Sequence, residues 1–159
     1  MLKVLFAGDF APCRGFEAMA RKKPKLLLDG IHDAAKASDL SFLNLESPLC
    51  WTGSPIQKSG PNIRAHPDCI GPVADAGFEI AGLANNHIMD FGPEGLYETM
   101  EVCHRAGLKT CGAGQNLKEA QKPQFIEKKG TKIAIIAVAE HEFSIAGNEK
   151  PGAAPLDPI

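Results

Sequence analysis

Residues 3–9, with the sequence KVLFAGD, decide the class of fold. A short, continuous apolar run of this kind is typical of a strand that is covered on both faces of a parallel sheet. The run ends in Gly8 and Asp9, so a carboxylate follows the strand directly. The same arrangement returns in residues 40–46, LSFLNLE, and in residues 78–87, FEIAGLANNH, where polar residues again follow an apolar run.

Helical patterns lie between and after these strands. They cover residues 25–37, 67–76 and 95–106, and a glycine ends each of the last two, at positions 77 and 107. Further strands are predicted at residues 108–111, 122–128 and 132–139, the last two around the turn 129–131. The alternation predicts one α/β domain over residues 1–159, with a mainly parallel sheet flanked by helices and a C-terminal β-hairpin. Residues 47–65, rich in proline and glycine, predict a long irregular loop, and such loops are usually functional or mobile.

Composition excludes several classes of protein. Seventeen Lys and Arg against nineteen Asp and Glu give a net charge of −2, which disfavours a nucleic-acid-binding protein. No apolar run approaches the roughly 20 residues that span a bilayer, and the N-terminal run has the pattern of a strand rather than of a signal peptide. We therefore expect a cytoplasmic location. The five cysteines form no C-x-x-C pair, which argues against a disulfide framework or a zinc knuckle.

Candidate metal ligands follow three successive strands. Asp9, Glu46, Asn86 and His87 should meet at one edge of the sheet, where open α/β sheets bind their ligands. Singly, each has a structural interpretation: Asp9 as a turn cap, Glu46 as a solvent-exposed loop residue, the asparagines as turn formers and His87 as a hydrogen-bonded structural histidine. Together they form a mixed oxygen and nitrogen set that suits manganese, zinc, iron or magnesium.

The strand-end motifs resemble those of a known family. Residues 8–9 (GD), 44–48 (NLESP), 84–92 (ANNHIMDFG) and 112–116 (GAGQN) are similar, in this order, to the CapA family of bacterial poly-γ-glutamate capsule synthesis. That family belongs to the calcineurin-like metallophosphatase superfamily. The resemblance covers essentially the whole chain, and it implies that the sheet is half of a four-layer sandwich.

The resemblance also implies roles for particular residues. Asp9 matches a ligand of the first metal, Glu46 a carboxylate that bridges two divalent metals, and Asn86 a ligand of the second. His87 matches a histidine that donates a proton or hydrogen bond at the phosphate. Asp90 would orient His87, as carboxylates often do for a working imidazole.

The sequence also departs from the superfamily pattern. Ala11 stands where a histidine is often found, and the chain has no Gly-His-x-His element. Among the remaining histidines, His66 and His141 are candidates to line the site. The family domain is longer, so we expect residues 1–159 to be its N-terminal half. A half domain leaves an open sheet edge, which predicts a homodimer that covers it.

Two functions remain open at this stage. The first is a CapA-type metallohydrolase, in which a hydroxide held by two metals attacks a phosphoester or a γ-glutamyl amide. Its substrate would be an anionic small molecule or polyglutamate. The alternative is a non-catalytic component of a capsule-synthesis assembly, with an incomplete metal site and membrane proteins as partners. A nucleotide-binding domain is disfavoured, because residues 112–117 lack the third glycine of the dinucleotide motif and instead suggest a helix capped by Asn116.

Overall fold

A four-stranded parallel sheet forms the centre of the protein. The computed structural model describes residues 1–157. The strands β1 (Val4–Phe10), β2 (Leu40–Leu45), β3 (Ile80–Gly82) and β4 (Lys109–Cys111) lie side by side in that order. All three pairings are parallel, as the apolar runs predicted. The carboxyl ends of β1, β2 and β3 therefore lie at one edge of the sheet.

Helices fill the connections between the strands. They are α1 (Gly15–Lys22), α2 (Pro24–Leu27), α3 (Asp29–Lys36), a 3-10 turn (Pro67–Ile70), α4 (Gly71–Asp75), α5 (Gly92–Arg105) and α6 (Leu117–Ala120). The helix predicted over residues 25–37 is instead two helices. Leu28 leaves helical geometry (φ −120°, ψ 20°), and its carbonyl accepts from Ile31 and His32, which starts α3 anew. The short helix α1 was not predicted.

The sheet separates two apolar clusters because alternate residues of a strand face opposite sides. Leu43, Leu45, Ala81 and Leu83 pack in the larger cluster with residues of α4 and α5. On the other face, Leu40, Ile80 and Cys111 pack with Ile126 and Ile135 of a second, antiparallel sheet.

That second sheet is the predicted hairpin, with strands β6 (Gln124–Lys128) and β7 (Thr131–Ile135). Two further short strands, β5 (Ala113–Gly114) and β8 (Gly152–Ala153), pair with each other. The sequence after residue 147 had shown no regular pattern. Asn116 caps α6, as predicted, by accepting from the backbone N–H of Glu119 at 3.0 Å.

A long irregular segment, residues 46–66, connects β2 to the 3-10 turn, as predicted. Within the described chain it contains no regular strand or helix, apart from the single bridge of Leu49 to Ala65. It is nevertheless packed, because Leu49 N–H donates to Thr99 Oγ1 (3.0 Å) and Ile56 N–H donates to the Asp90 carbonyl (3.0 Å). The segment thus lies against α5 and the turn that precedes it.

No helix within residues 1–157 has both the length and the apolar character needed to cross a membrane.

Candidate functional site

A chain of side-chain hydrogen bonds joins the carboxyl ends of the first three strands. Asn44 Nδ2 donates to Asp9 Oδ1 at 2.7 Å, and the two residues are register partners in β2 and β1. Asn85, which follows β3, donates from Nδ2 to Asn44 Oδ1 (3.2 Å) and to the Leu45 carbonyl (3.0 Å). The buried Asn85 therefore fixes the loop after β3 against β2. The ligand prediction included neither Asn44, which lies near the end of β2, nor Asn85, which follows β3.

His87 is held by the same loop. Its backbone N–H donates to Asn85 Oδ1 at 3.1 Å, and its ring atom Nδ1 lies 2.7 Å from Asp90 Oδ2. Asp90 is fully buried, and its Oδ2 also accepts from the backbone N–H of Ile63 at 2.7 Å. The structure therefore places Asp90 beside His87, where a carboxylate can fix the orientation of an imidazole ring.

Lys58 is a member of this cluster that the sequence analysis missed. It comes from the irregular segment, its side chain is only 2% exposed, and its ammonium group forms an ion pair with Asp90 Oδ1. The same Nζ lies 3.2 Å from His87 Nδ1. A lysine in a loop rich in Pro, Gly and Ser normally lies in solvent, so no sequence signal marked it.

Glu46 and His87 share the wall of a cleft of about 380 Å³. The cleft is also lined by the start of α1 and by the irregular segment, through residues that include Ala11, Cys13, Arg14, Pro61 and Ile63. Asp9 and Asn86 are not among its lining residues. His66 and His141 do not line it either: His66 accepts from the backbone N–H of Asp68, and the exposed His141 lies 3.1 Å from Asp157.

The remaining predicted residue, Asn86, directly precedes His87 in the sequence but does not line this cleft. Its carbonyl accepts from Ser144 Oγ at 2.9 Å, which ties the loop after β3 to the C-terminal region. The structure therefore brings Glu46, His87 and Asp90 together, links Asp9 to them through Asn44 and Asn85, and leaves the Asn86 side chain without a described contact.

The donor set is suited to a hard divalent cation but is sparse. No group of three or more His, Cys, Asp or Glu side chains placed to share a metal occurs within residues 1–157. In that same part of the chain, neither Asp9 nor Glu46 forms an ion pair with a basic side chain. Carboxylates without a protein counter-charge are ligands that suit magnesium or manganese, although Asp9 Oδ1 is already hydrogen-bonded to Asn44 Nδ2.

The fold and the polar strand ends define an α/β protein with a parallel sheet whose carboxyl edge carries a cluster of polar side chains. Comparison with known protein families then identifies the family of this chain. Residues 3–157 match the bacterial capsule synthesis protein family PGA_cap. The chain belongs to this family, which confirms the resemblance to CapA seen in the motifs.

Individual relatives agree with the family. The chain is 30% identical to the capsule biosynthesis protein CapA of Bacillus anthracis, over 77% of this chain and 31% of that protein. It is 27% identical to the PGA biosynthesis protein CapA of Bacillus subtilis, over 99% of this chain and 43% of that protein. A probable polyglutamine synthesis accessory protein of Mycobacterium tuberculosis is 29% identical over 73% of this chain and 32% of its own length. The matches thus cover about a third to two fifths of these relatives.

Proposed function

We propose that this chain carries the metal-binding half of a hydrolase that acts in poly-γ-glutamate capsule synthesis. The reaction would be metal-assisted hydrolysis of a phosphoester or of a γ-glutamyl amide. The observation that supports this most is the joining of Asp9 and of the His87–Asp90 pair through Asn44 and Asn85, at the sheet edge where such folds bind ligands.

Each residue has a role in this proposal. Asp9, Glu46 and Asn86 would hold divalent ions, which supply charge stabilisation and an activated water when bound. His87 Nε2 would hold or transfer a proton at the leaving group, and Asp90 would keep the ring oriented. Since anions are attracted by fixed positive charge, Arg14 on the cleft wall favours an anionic substrate, either a small molecule or polyglutamate.

Metal content tests the proposal first. Elemental mass spectrometry of the purified chain after manganese loading should find about one or more equivalents per chain, and Asp9→Ala should lose them. Asp75→Ala, which removes an exposed carboxylate on α4, is the matched control. A chain that binds no manganese, iron or zinc would contradict the proposal.

Turnover of substrate tests the catalytic part of the proposal. With metal loaded, phosphoesters and γ-glutamyl peptides should be hydrolysed, and His87→Ala should reduce kcat by about a hundredfold, the lower range for general acid–base catalysis. His104→Ala is the control, because His104 is exposed on α5 and does not line the cleft with Glu46 and His87.

One observation favours a second candidate, a non-catalytic component of a capsule-synthesis assembly. Asp9 and Glu46 are the two carboxylates proposed as metal ligands at this edge. Among the described residues, no three His, Cys, Asp or Glu side chains lie close enough to share a metal ion. Ala11 lies on the cleft wall, where a histidine would have added a ligand. Metal-free protein that still binds a membrane protein of the assembly, without turnover, would support this candidate.

A further inference from the structure

Lys58 occupies a position that a lysine rarely takes. Its side chain is 2% exposed and faces the fully buried carboxylate of Asp90, with the ring of Phe143 at 5.8 Å from Nζ. Burying an ammonium group and a carboxylate removes both from water, and their attraction does not always compensate for that cost. An apolar side chain could fill this position without that cost, so packing alone does not explain a charged group here.

The two oxygens of Asp90 face different partners, Oδ1 through an ion pair alone and Oδ2 through hydrogen bonds. Oδ1 faces Lys58, and Oδ2 accepts from the backbone N–H of Ile63 and lies 2.7 Å from His87 Nδ1. The carboxylate therefore cannot rotate without breaking the contact with Lys58.

The contact with Asp90 indicates which ring nitrogen of His87 carries hydrogen. An ammonium group only donates, and Nδ1 at 2.7 Å from a carboxylate oxygen is placed to donate to that oxygen. Lys58 Nζ lies 3.2 Å from the same Nδ1 and could only donate to an unprotonated nitrogen, but the shorter contact with the Asp90 carboxylate favours Nδ1–H. In the neutral ring Nε2 is then the nitrogen that can take up a proton, and the doubly protonated ring can pass that proton on at the leaving group, as the proposed role of His87 requires.

We propose that Lys58 is a positioning residue for His87. By holding Asp90 Oδ1, it fixes the carboxylate so that Oδ2 accepts from Nδ1–H, and it thereby fixes the ring with Nε2 available to the cleft. The catalytic consequence rests on the proposed hydrolase function, but the state of the ring does not. The ring can be observed whether or not the protein turns over a substrate.

The decisive measurement is a long-range ¹H–¹⁵N spectrum of the protein with ¹⁵N-labelled histidine, recorded at a pH where the neutral ring dominates. His87 should show the tautomer with hydrogen on Nδ1, and His87→Ala assigns the signal. Lys58→Met, similar in length but uncharged, should abolish this single signature, and Lys58→Arg should restore it. Lys128→Met is the control. The Lys128 ammonium group pairs with Glu79 at 2.7 Å, on β6 and away from the Asp90 carboxylate, so this variant should leave the His87 signal unchanged.

Two results would overturn the proposal. One is a wild-type His87 with hydrogen on Nε2, a result that needs no variant. The other is a folded Lys58→Met protein with an unchanged His87 signal, which would reduce Lys58 to a structural anchor. If Lys58→Met does not fold by circular dichroism, Lys58→Gln, polar but uncharged, takes its place with the same expected spectral change.

Kinetics add a separate test. If the wild type hydrolyses a phosphoester such as bis(p-nitrophenyl) phosphate, Lys58→Met should lower kcat by about tenfold or more while KM changes little, since proton transfer contributes about 10²–10⁴-fold. Lys58→Arg should recover part of the loss. A wild type without turnover would count against the hydrolase proposal alone, and the spectrum would still decide the role of Lys58.

Discussion

Cys13 is a thiol on the wall of the cleft, and its reaction rate can report on access to that cleft. It is half-buried and lines the cleft with Glu46 and His87, whereas the other four cysteines are buried. Burial raises the pKa of Cys50, Cys69 and Cys111 to about 11, and that of Cys103 to about 12. At pH 8 a thiol with a pKa of 11 is thiolate to only about one part in a thousand, and the thiolate is the reactive form.

We therefore predict one fast-reacting thiol per folded chain. Titration with Ellman's reagent at pH 8 should release one rapid equivalent, Cys13→Ser should remove it, and Cys111→Ser should not. An anion that occupies the cleft should slow the reaction. Two or more rapid equivalents in folded protein would contradict the burial of the other cysteines.

Single residues also show what sequence reasoning can find. Asp9, Glu46, His87 and Asp90 could be chosen as candidates because Asp9 ends an apolar run, Glu46 follows another, and His87 and Asp90 lie in the ANNHIMDFG motif. The first strand in fact continues through Asp9 to Phe10. Lys58 was not, since its importance comes only from burial against Asp90, a contact 32 positions away in the chain. Asn44 was not chosen as a functional residue either, because its role depends on the register of β1 against β2.

At the scale of elements, the irregular segment 46–66 depends on one close backbone approach. Gly53 has φ +81°, and a Cβ there would lie 1.9 Å from the Phe91 carbonyl oxygen. Gly60 has a similar φ of +85°, but a Cβ there would meet no atom within 4 Å. The pair separates backbone strain from steric collision.

We predict that Gly60→Ala lowers the free energy of unfolding by about 1 kcal/mol, the cost of a left-handed backbone for a residue with a Cβ. Gly53→Ala adds a collision with backbone atoms and should cost about 3 kcal/mol or more. Urea unfolding of both variants measures the difference. Equal losses would mean that the Gly53–Phe91 approach does not constrain the segment.

Glu98 attaches the same segment to α5. Its Oε2 accepts from Trp51 N–H (2.9 Å), Thr52 N–H (2.8 Å) and Thr52 Oγ1 (2.6 Å). Partial burial alone would raise the pKa of this carboxyl group, but the hydrogen bonds from Thr52 and Trp51 outweigh it, and the pKa is lowered. A carboxyl pKa that is lower in the folded state contributes stability above its unfolded value, and the contribution is lost as pH falls through the folded pKa.

Glu98→Gln should therefore destabilise the protein at neutral pH, by about 1 kcal/mol for weakened hydrogen bonds to a charged group. The difference from wild type should shrink as pH falls below the ordinary carboxyl range of about 4 to 4.5. Glu101→Gln, on the exposed side of α5 with only a 3.7 Å contact to Arg105, serves as the control. A difference that stays constant from pH 7 to pH 3 would refute the assignment.

The elements also differ in how well the sequence specified them. The strand predicted at residues 40–45 matches β2, because a buried parallel strand is a continuous apolar run. The break between α2 and α3 was hidden, since apolar residues continue at helical spacing across Leu28, whose backbone leaves helical geometry. The pairing of β5 with β8 was also hidden, because two-residue strands show no periodicity.

At the scale of the whole molecule, β1 forms an edge of the parallel sheet. Within residues 1–157 its only strand partner is β2. Two apolar side chains of this edge strand remain in contact with water, with Val4 40% exposed and Phe6 65% exposed. Phe6 packs against Phe42 at a ring distance of 5.4 Å. Phe42 in turn packs against the apolar cluster between the parallel sheet and the hairpin, but Phe6 does not belong to that cluster.

An open edge with exposed apolar side chains can pair with another chain. We therefore propose that this chain self-associates through β1, and sedimentation velocity should show a dimer whose fraction rises with concentration. Phe6→Lys places a charge on this edge and should shift the equilibrium towards monomer by about tenfold or more in Kd, since each buried large apolar side chain contributes about 1.5–3 kcal/mol.

Phe125→Lys provides the comparison, because Phe125 is equally exposed at 67% but lies on the hairpin strand β6 rather than on the edge strand. If association depends on the β1 edge, Phe125→Lys should leave the dimer fraction unchanged, and both variants should keep the wild-type circular dichroism spectrum. Equal weakening by both substitutions would indicate non-specific association of apolar surface. A monomer at every concentration would exclude pairing through β1 for this chain and would leave Phe6 as an exposed residue of a sheet edge that does not associate.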